Sequence, residues 1–488
     1  MLNVPVDWHA LAPEVVLTIA ACAVLVADLF LPRDAKWLAM PLSAAGLVAT
    51  LAAIVSLIGQ GDRITLGGAF EIDTFSLVFK GLFCIIGLIV LAISFDYFRD
   101  GDYAQGEYYF LLLCGLLGTL VISSSRDLVS LFIAIELISI PGFVMTGLRK
   151  RDVKSNEAAL KFFLFSVLSS AVMLYGMSLV YGATGGELQL DAIREAFQGR
   201  ADDPIVVMSV FFVVVGFAFK VSAVPFHFWA PDTYEGAPSP VAAFLSTASK
   251  IGGFVGLLVL MFRAFPDVAD AWRPAFAALA VLTMTVGNLI ALRQRHIIRL
   301  LAYSGIAQSG YVLVTFALIS PDGGANDQAF ASALVYLAIY GIMDAGAFAA
   351  AISFARKGGS YFIDDYRGLW QRSPALALLL AGFLVSLAGA PPMAGMWAKL
   401  FVFFATIEAG VVWLAVVMGI NAVIAAWYYL AVVKTMFFEA PDQPEEEVVV
   451  PYMLRAAMGV AVLILFAAFV FPTGIAEMAE SSVFLGAP

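Results

Sequence analysis

The sequence predicts an all-α membrane protein, a bundle of about fourteen transmembrane helices, and three observations point there. The chain of 488 residues is 62% hydrophobic with a mean hydropathy of +0.93, whereas soluble domains are about 45–50% apolar. Charged residues make up only 13% of the chain. The apolar residues are gathered in runs near the roughly 20 residues that cross a bilayer.

The runs follow in order. Residues 10–31 have neither a basic leader nor a small-residue cleavage site, so they read as a retained span and not as a signal peptide. Residues 36–58 follow the basic pair Arg33 and Lys36, and 72–94 contain Lys80. Residues 108–124 and 126–147 form the fourth and fifth spans, the latter with Glu136 at its midpoint; 156–181 carry Lys161. The loop 182–204 mixes Leu188, Leu190, Ile193 and Phe197 with Glu187, Asp191, Arg194 and Glu195, a pattern that fits a short surface helix or an unstructured loop. Residues 205–230 hold Lys220 and Pro225, 238–263 hold Lys250, and 272–291 and 298–319 follow. Residues 328–354 contain Asp344, 374–409 contain Pro391, Pro392 and Lys399, and 411–438 and 453–475 complete the set.

A net charge of −10 argues against nucleic acid as partner; Glu445, Glu446 and Glu447 read as a solvated loop. Cys22, Cys84 and Cys114 lie in separate apolar runs, without metal-ligand spacing, and read as small buried hydrophobes.

Lys and Arg set the orientation. Loops after odd-numbered spans hold fifteen of them and loops after even-numbered spans six, which puts the odd loops in the cytoplasm and both termini on the opposite side. Six lysines remain, all within apolar runs: Lys80, Lys161, Lys220, Lys250, Lys399 and Lys434. Arginine is missing from this group. Lysine can give up its proton when buried and arginine cannot, so the group reads as proton-carrying. Ionisable groups at bilayer depth are costly and face protein or water.

Depth sorts the six. Lys434 lies near a span end and reads as snorkelling. Lys80 leans structural. Lys161 is open between the two readings. Lys220, Lys250 and Lys399 lie deep and read as functional. Glu136 is their acidic counterpart, and beside a lysine it would titrate with its partner as a unit. Asp344 is either a relay member or a hydrogen-bonded acid, and His227 either passes protons or sits among interfacial aromatics. His9, His227 and His296 share no span, which argues against a haem held by paired histidines. No nucleotide-binding glycine loop and no iron–sulfur cysteine cluster is present in the sequence, so energy must come from an ion gradient or a redox partner.

Two spans look broken: the seventh at Pro225, and the twelfth at Pro391 and Pro392. Interrupted helices beside ionisable groups are a common construction of ion pathways. The breaks stand five spans apart, which suggests two five-helix repeats, 108–263 and 272–438, after a three-helix segment 1–107 and before a last helix at 453–475.

The stretch from Gly216 through Lys220, Pro225 and Trp229 to Asp232 resembles the signature of the antiporter-like membrane subunits of respiratory complex I and of multi-subunit Na⁺/H⁺ antiporters. Thr233 to Phe254, Glu136 to Pro141, Ala388 to Lys399, and the opening Ala12 to Leu17 with Asp28 are similar to the branch represented by subunit N of NADH-quinone oxidoreductase. The resemblance covers nearly the whole chain. It implies that the two repeats are inverted. It also implies that Glu136 and Lys220 pair, that Lys250 is the central relay and that Lys399 leads to the exit side; Asp344 matches no position of the pattern. The expected function is proton translocation coupled to quinone reduction, within an NADH:quinone oxidoreductase, a translocase. The alternative is a subunit of a Na⁺/H⁺ antiporter. No cofactor is expected in this chain, with FMN, iron–sulfur clusters and quinone expected in partner subunits. Expected partners are the other membrane and peripheral subunits of complex I, the lipid bilayer and, through the complex, the quinone pool. The expected location is a bacterial inner membrane.

Overall fold

A computed structural model describes residues 6–99, 105–320, 326–358, 360–441 and 450–483; Glu445–Glu447 lie outside the described residues. The helices are α1 (Ala12–Phe30), α2 (Ala39–Leu57), α3 (Thr74–Arg99), α4 (Gln105–Ser124), α5 (Leu128–Thr146), α6 (Val153–Ala183), α7 (Leu190–Phe197), α8 (Pro204–Lys220), α9 (Trp229–Gly236) and α10 (Ser239–Phe244). They continue with α11 (Lys250–Val259), α12 (Ala269–Ala291), α13 (Ile297–Phe316), α14 (Asn326–Gly358), α15 (Leu369–Arg372), α16 (Pro374–Ala388), α17 (Gly395–Glu408), α18 (Val412–Phe438), α19 (Tyr452–Val470) and α20 (Pro472–Glu480).

Each of the fourteen apolar runs coincides with helix. Among the described residues eleven helices are long and apolar enough to cross a membrane; α19 joins them if it is counted with α20, from which it is bent by 84°. The shorter apolar helices α8 and α16 are the first halves of the two broken spans. Asp127, Asp152 and Asp203 accept backbone N–H groups at the starts of α5, α6 and α8, which fixes where these helices begin.

The helix running from Ser239 to Ala264 is wholly enclosed, and α13 and α14 nearly so. Around this core the outer helices present exposed Phe30, Leu168, Val423 and Trp427, an apolar rind suited to lipid. Inside the bundle every backbone polar group must find a protein partner, which is why the breaks matter.

Some features differ from the sequence expectation. The loop 182–204 does contain a short helix, α7, anchored by buried Leu190, Ile193 and Phe197 but not by Leu188, which is exposed. A small antiparallel hairpin, β1 (Arg63–Thr65) with β2 (Phe70–Ile72), turns at Gly67 and Gly68, both at positive φ. Arg263 and Arg299, read as loop residues, lie within helical spans at their ends, and Arg126 is buried between α4 and α5. Arg126 binds Glu71 at 2.9 Å and Asp73 at 2.7 Å, and Arg263 binds Glu71 at 2.5 Å and Asp191 at 2.7 Å. These ion pairs tie the hairpin, the α4–α5 turn and α7 into one floor. The carboxylates let arginine stay within the fold at the bundle edge.

Candidate functional site

The first break begins where α8 ends. Pro225 offers no N–H and disfavours helix at Val224, and Ser222 takes a left-handed φ of +58°. The freed groups are satisfied locally. Ala223 N–H donates to Ala218 O at 2.8 Å, Val224 N–H to Thr283 Oγ1 at 3.0 Å, and the Trp229 indole to Phe219 O at 3.0 Å. Trp229 is held by stacking on Phe162, with centroids 4.4 Å apart and planes within 7°.

Lys220, the last residue of α8, is 2% exposed, and its ammonium donates to Ser139 Oγ at 2.8 Å. Glu136 stands one helical turn from Ser139 and accepts from Ser170 Oγ at 2.5 Å. The expected direct Glu136–Lys220 contact is absent: among the described residues no Glu136 oxygen lies within 4.0 Å of a Lys220 nitrogen. A serine takes each of the two groups instead, Ser139 the Lys220 ammonium and Ser170 the Glu136 carboxylate.

The centre lies where α10 passes into α11. A π-helical turn, Leu245–Ser249, inserts between them, immediately before Lys250. Lys250 is 1% exposed and among the described residues its ammonium has no hydrogen-bond partner. It lies 5.9 Å from the Tyr234 ring and 6.0 Å from the Tyr340 ring. Asp344, fully buried on α14, accepts from Ser246 at 2.5 Å and from Tyr340 at 3.3 Å through Oδ2.

The second break follows α16. Gly389 closes that helix at φ +82°, and a Cβ there would lie 2.6 Å from Lys399 Cδ, so glycine is required twice over. The Lys399 ammonium donates to Leu387 O at 3.1 Å and Ala388 O at 2.8 Å, and sits 5.0 Å over the Tyr311 ring. A cation on the last carbonyls of a helix complements its dipole.

Between centre and second break runs a row of neutral polar groups that the sequence reading missed. Ser304 bonds the Tyr429 hydroxyl, Gln308 donates to Tyr429 at 3.3 Å and to Leu387 O at 2.9 Å, and Tyr336 donates to Gln308. On α14 the polar residues Ser332, Tyr336, Tyr340 and Asp344 recur every fourth position, one face of the helix. That spacing was the available signal. Ser332 also lines a cavity of about 420 Å³ with Asp327, Phe401 and Glu480.

The remaining ionisable residues sort differently. Lys161 lies at the rim with a side chain 39% exposed, bound to Asp232 at 2.8 Å and Glu157 at 2.7 Å; Arg299 joins the same cluster through Asp232 and Glu235. His227 is buried, its Nδ1 without a hydrogen-bond partner among the described residues. Lys80 is buried against Glu14 at 2.7 Å, and Lys434 reaches out, 70% exposed.

Comparison with known proteins agrees with this architecture. Residues 125–425 match the family model described as NADH:quinone oxidoreductase/Mrp antiporter, transmembrane. The chain is 44% identical over 459 residues to NADH-quinone oxidoreductase subunit N 2 of Streptomyces griseus, covering 90% of this chain and 84% of that one. It is 39% identical over 476 residues to subunit N of Moorella thermoacetica, covering 98% of each. A chain of respiratory complex I from Thermus thermophilus superposes with a TM-score of 0.79 at 29% identity, over 96% of this chain and 99% of that one. With its two broken helices and their lysines in place, the chain belongs to the NADH:quinone oxidoreductase/Mrp antiporter transmembrane family, and within it to the subunit N branch of NADH-quinone oxidoreductase.

Proposed function

We propose that this chain is a proton-translocating membrane subunit of an NADH:quinone oxidoreductase, moving protons through Lys220, Lys250 and Lys399. The observation that carries the reading is the row of bonded polar groups from Ser304 through Tyr429, Gln308 and the Leu387 carbonyl to Lys399. Buried polar side chains are costly unless bonded, so such a row inside an apolar bundle needs a use. Side chains with exchangeable protons, bridged by water, can hand a proton along it.

A proton arriving from the cytoplasmic side is received at Lys220, whose affinity responds to Glu136. It passes to Lys250 and on to Lys399. The cavity at Ser332, Asp327 and Glu480 then offers a way out toward the opposite face. Lys161, with Asp232 and Arg299, belongs to the rim on the uptake side, and His227 lies beside the first break. The helix units 108–263 and 272–438 would act as inverted repeats about the centre, following 1–107 and preceding the helix at 453–475. Moving one charge against 100 mV costs about 2.3 kcal/mol, and a change in the Glu136–Lys220 spacing is the step that quinone reduction would drive.

FMN, the iron–sulfur clusters and the quinone site then belong to partner subunits, and the setting is a bacterial inner membrane with both termini on the periplasmic side. The relatives' names favour this reading over a Na⁺/H⁺ antiporter subunit. The test is NADH oxidation and proton uptake in native membrane vesicles carrying Lys220→Ala. The reading expects both to fall while the complex stays assembled. Unchanged proton uptake would overturn it, and sodium-dependent transport without NADH oxidation would install the antiporter alternative.

A further inference from the structure

A glycine lies against each of the three deep lysines. For three glycines among the described residues, the atom nearest to an added Cβ belongs to a lysine side chain. That Cβ would lie 2.8 Å from Lys220 Cγ at Gly253, 2.8 Å from Lys250 Nζ at Gly305 and 2.6 Å from Lys399 Cδ at Gly389. At Gly305 the atom met is the movable end of its chain. At Gly253 it is the second carbon of the stem, with Val221 Cγ1 at 3.2 Å and Lys220 Cβ at 3.3 Å behind it. Carbon atoms in contact stand about 3.5–4.0 Å apart, so the Lys220 stem occupies the place of a side chain at 253. A Cβ on the adjoining Gly252 would lie 3.0 Å from Ile138 Cδ1. Ile138 precedes Ser139, which accepts from the Lys220 ammonium at 2.8 Å. The two glycines thus let α11 lie against the stem of the lysine and against the neighbour of its acceptor.

We propose that Gly253 is a positioning residue for Lys220: the side chain it lacks is the groove in which the lysine stem lies on its way to Ser139. This deepens the proton-path reading and rests on it. Lys220 Cγ is placed by χ1 alone, and χ1 keeps to staggered wells. A methyl group at 253 displaces that carbon, and a turn of about 120° to the next well carries the ammonium away from Ser139. The groove also joins two lysines. α11 begins at Lys250, and Gly253 stands one turn further on the same face. α11 is bounded by a π turn at each end, Leu245–Ser249 and Leu260–Ala264, which set it off as a segment within its span. A shift of that segment moves Lys250 and presses on the Lys220 stem in one motion.

The experiment measures proton uptake in native vesicles per amount of assembled complex, and the melting temperature of the purified complex. The variants are Lys220→Ala, Gly253→Ala, Gly256→Ala and the double variant K220A/G253A. Gly256 is the packing control: a Cβ there would lie 2.6 Å from Ile122 Cδ1 and 2.8 Å from Phe217 Cε1, as crowded as at Gly253 but by apolar side chains. The expected result is uptake lost in G253A toward the level of K220A and kept in G256A. G253A should lower the melting temperature of the parent and leave that of K220A unchanged, because the stem carbon it meets is gone there. Full uptake in G253A with K220A inactive overturns this inference alone. So does an equal loss of uptake in G256A, or an equal drop in melting temperature in both backgrounds. Full uptake in K220A overturns the proton-path reading itself. If G253A fails to assemble, the double variant decides: assembly regained in K220A/G253A supports the inference, and assembly still lost overturns it.

Discussion

Gln308 and Lys399 meet on a single oxygen. The Gln308 amide and the Lys399 ammonium both donate to the Leu387 carbonyl, at 2.9 and 3.1 Å, at the point where α16 stops. A residue of α13 and a residue of α17 are thereby joined through the end of a third helix. Any change in the Lys399 charge is felt at Gln308 through an atom they share.

Gln308→Leu removes one of the two donors to the shared oxygen and leaves the hydroxyls of Tyr336 and Tyr429 without their amide. Tyr429 keeps its bond to Ser304, and the Tyr336 hydroxyl, left unpaired, costs about 1–3 kcal/mol. Proton pumping should fall several-fold, with NADH oxidation in uncoupled vesicles less affected. Equal pumping in variant and parent would break the link between centre and second break.

Gly389→Ala should be among the harshest single substitutions in the chain. The residue sits at φ +82°, and the added carbon meets the Lys399 side chain at 2.6 Å. Left-handed backbone alone costs a non-glycine residue about 1–2 kcal/mol. The purified complex should melt at lower temperature and lose pumping together, whereas Gly410→Ala, also at positive φ but with open space around it, should cost stability alone.

Lys80 and Glu14 test the structural reading of a buried pair. Lys80→Met strands Glu14 in the bundle, at a cost of about 3–5 kcal/mol, and should reduce the yield of assembled complex. Lys80→Met with Glu14→Leu should restore the yield. A double variant that assembles but no longer pumps would instead make the pair functional.

His296 gives a dependence on pH at the loop joining α12 to α13. Burial lowers its pKa from the ordinary 6.5, and Arg299 and Lys154 oppose its protonation while Glu235 partly favours it. The neutral ring is thus the folded form. Its contribution is present above pH 6.5 and is lost as pH falls through the lowered value. Amide exchange at Ile297 and Ile363, whose N–H groups bond Tyr361 O and Arg295 O at 2.8 Å, should accelerate at acid pH beyond its chemical rate. His296→Gln should remove the excess acceleration; if it persists, another group is responsible.

Much of the fold was legible because lipid imposes a simple demand on each span, and Lys220, Lys250 and Lys399 stand out where charge is rare. The rest was not, for identifiable reasons. That Ser139 takes the Lys220 ammonium, one turn from Glu136, is a matter of ångströms between two helices. Gln308, Tyr336 and Tyr429 are neutral and common, so nothing in composition marks them; the i+4 recurrence on α14 marks Tyr336 alone. The hydroxyl that Asp344 accepts from belongs to Ser246, nearly a hundred positions away along the chain. The π turn before Lys250 has no sequence mark. Arg126, Arg263 and Arg299 looked like loop residues because their carboxylate partners lie on other segments.

The end of α16 has one more consequence. The Lys399 ammonium is moored to two carbonyl oxygens that accept best from a cation. Once its proton leaves, the amine keeps a weaker hold on the same oxygens, and a long, unbranched side chain is free to swing. Carrying the charge and being fastened in place are one condition at this residue, so on the proposed path delivery of the proton would also cast off the carrier.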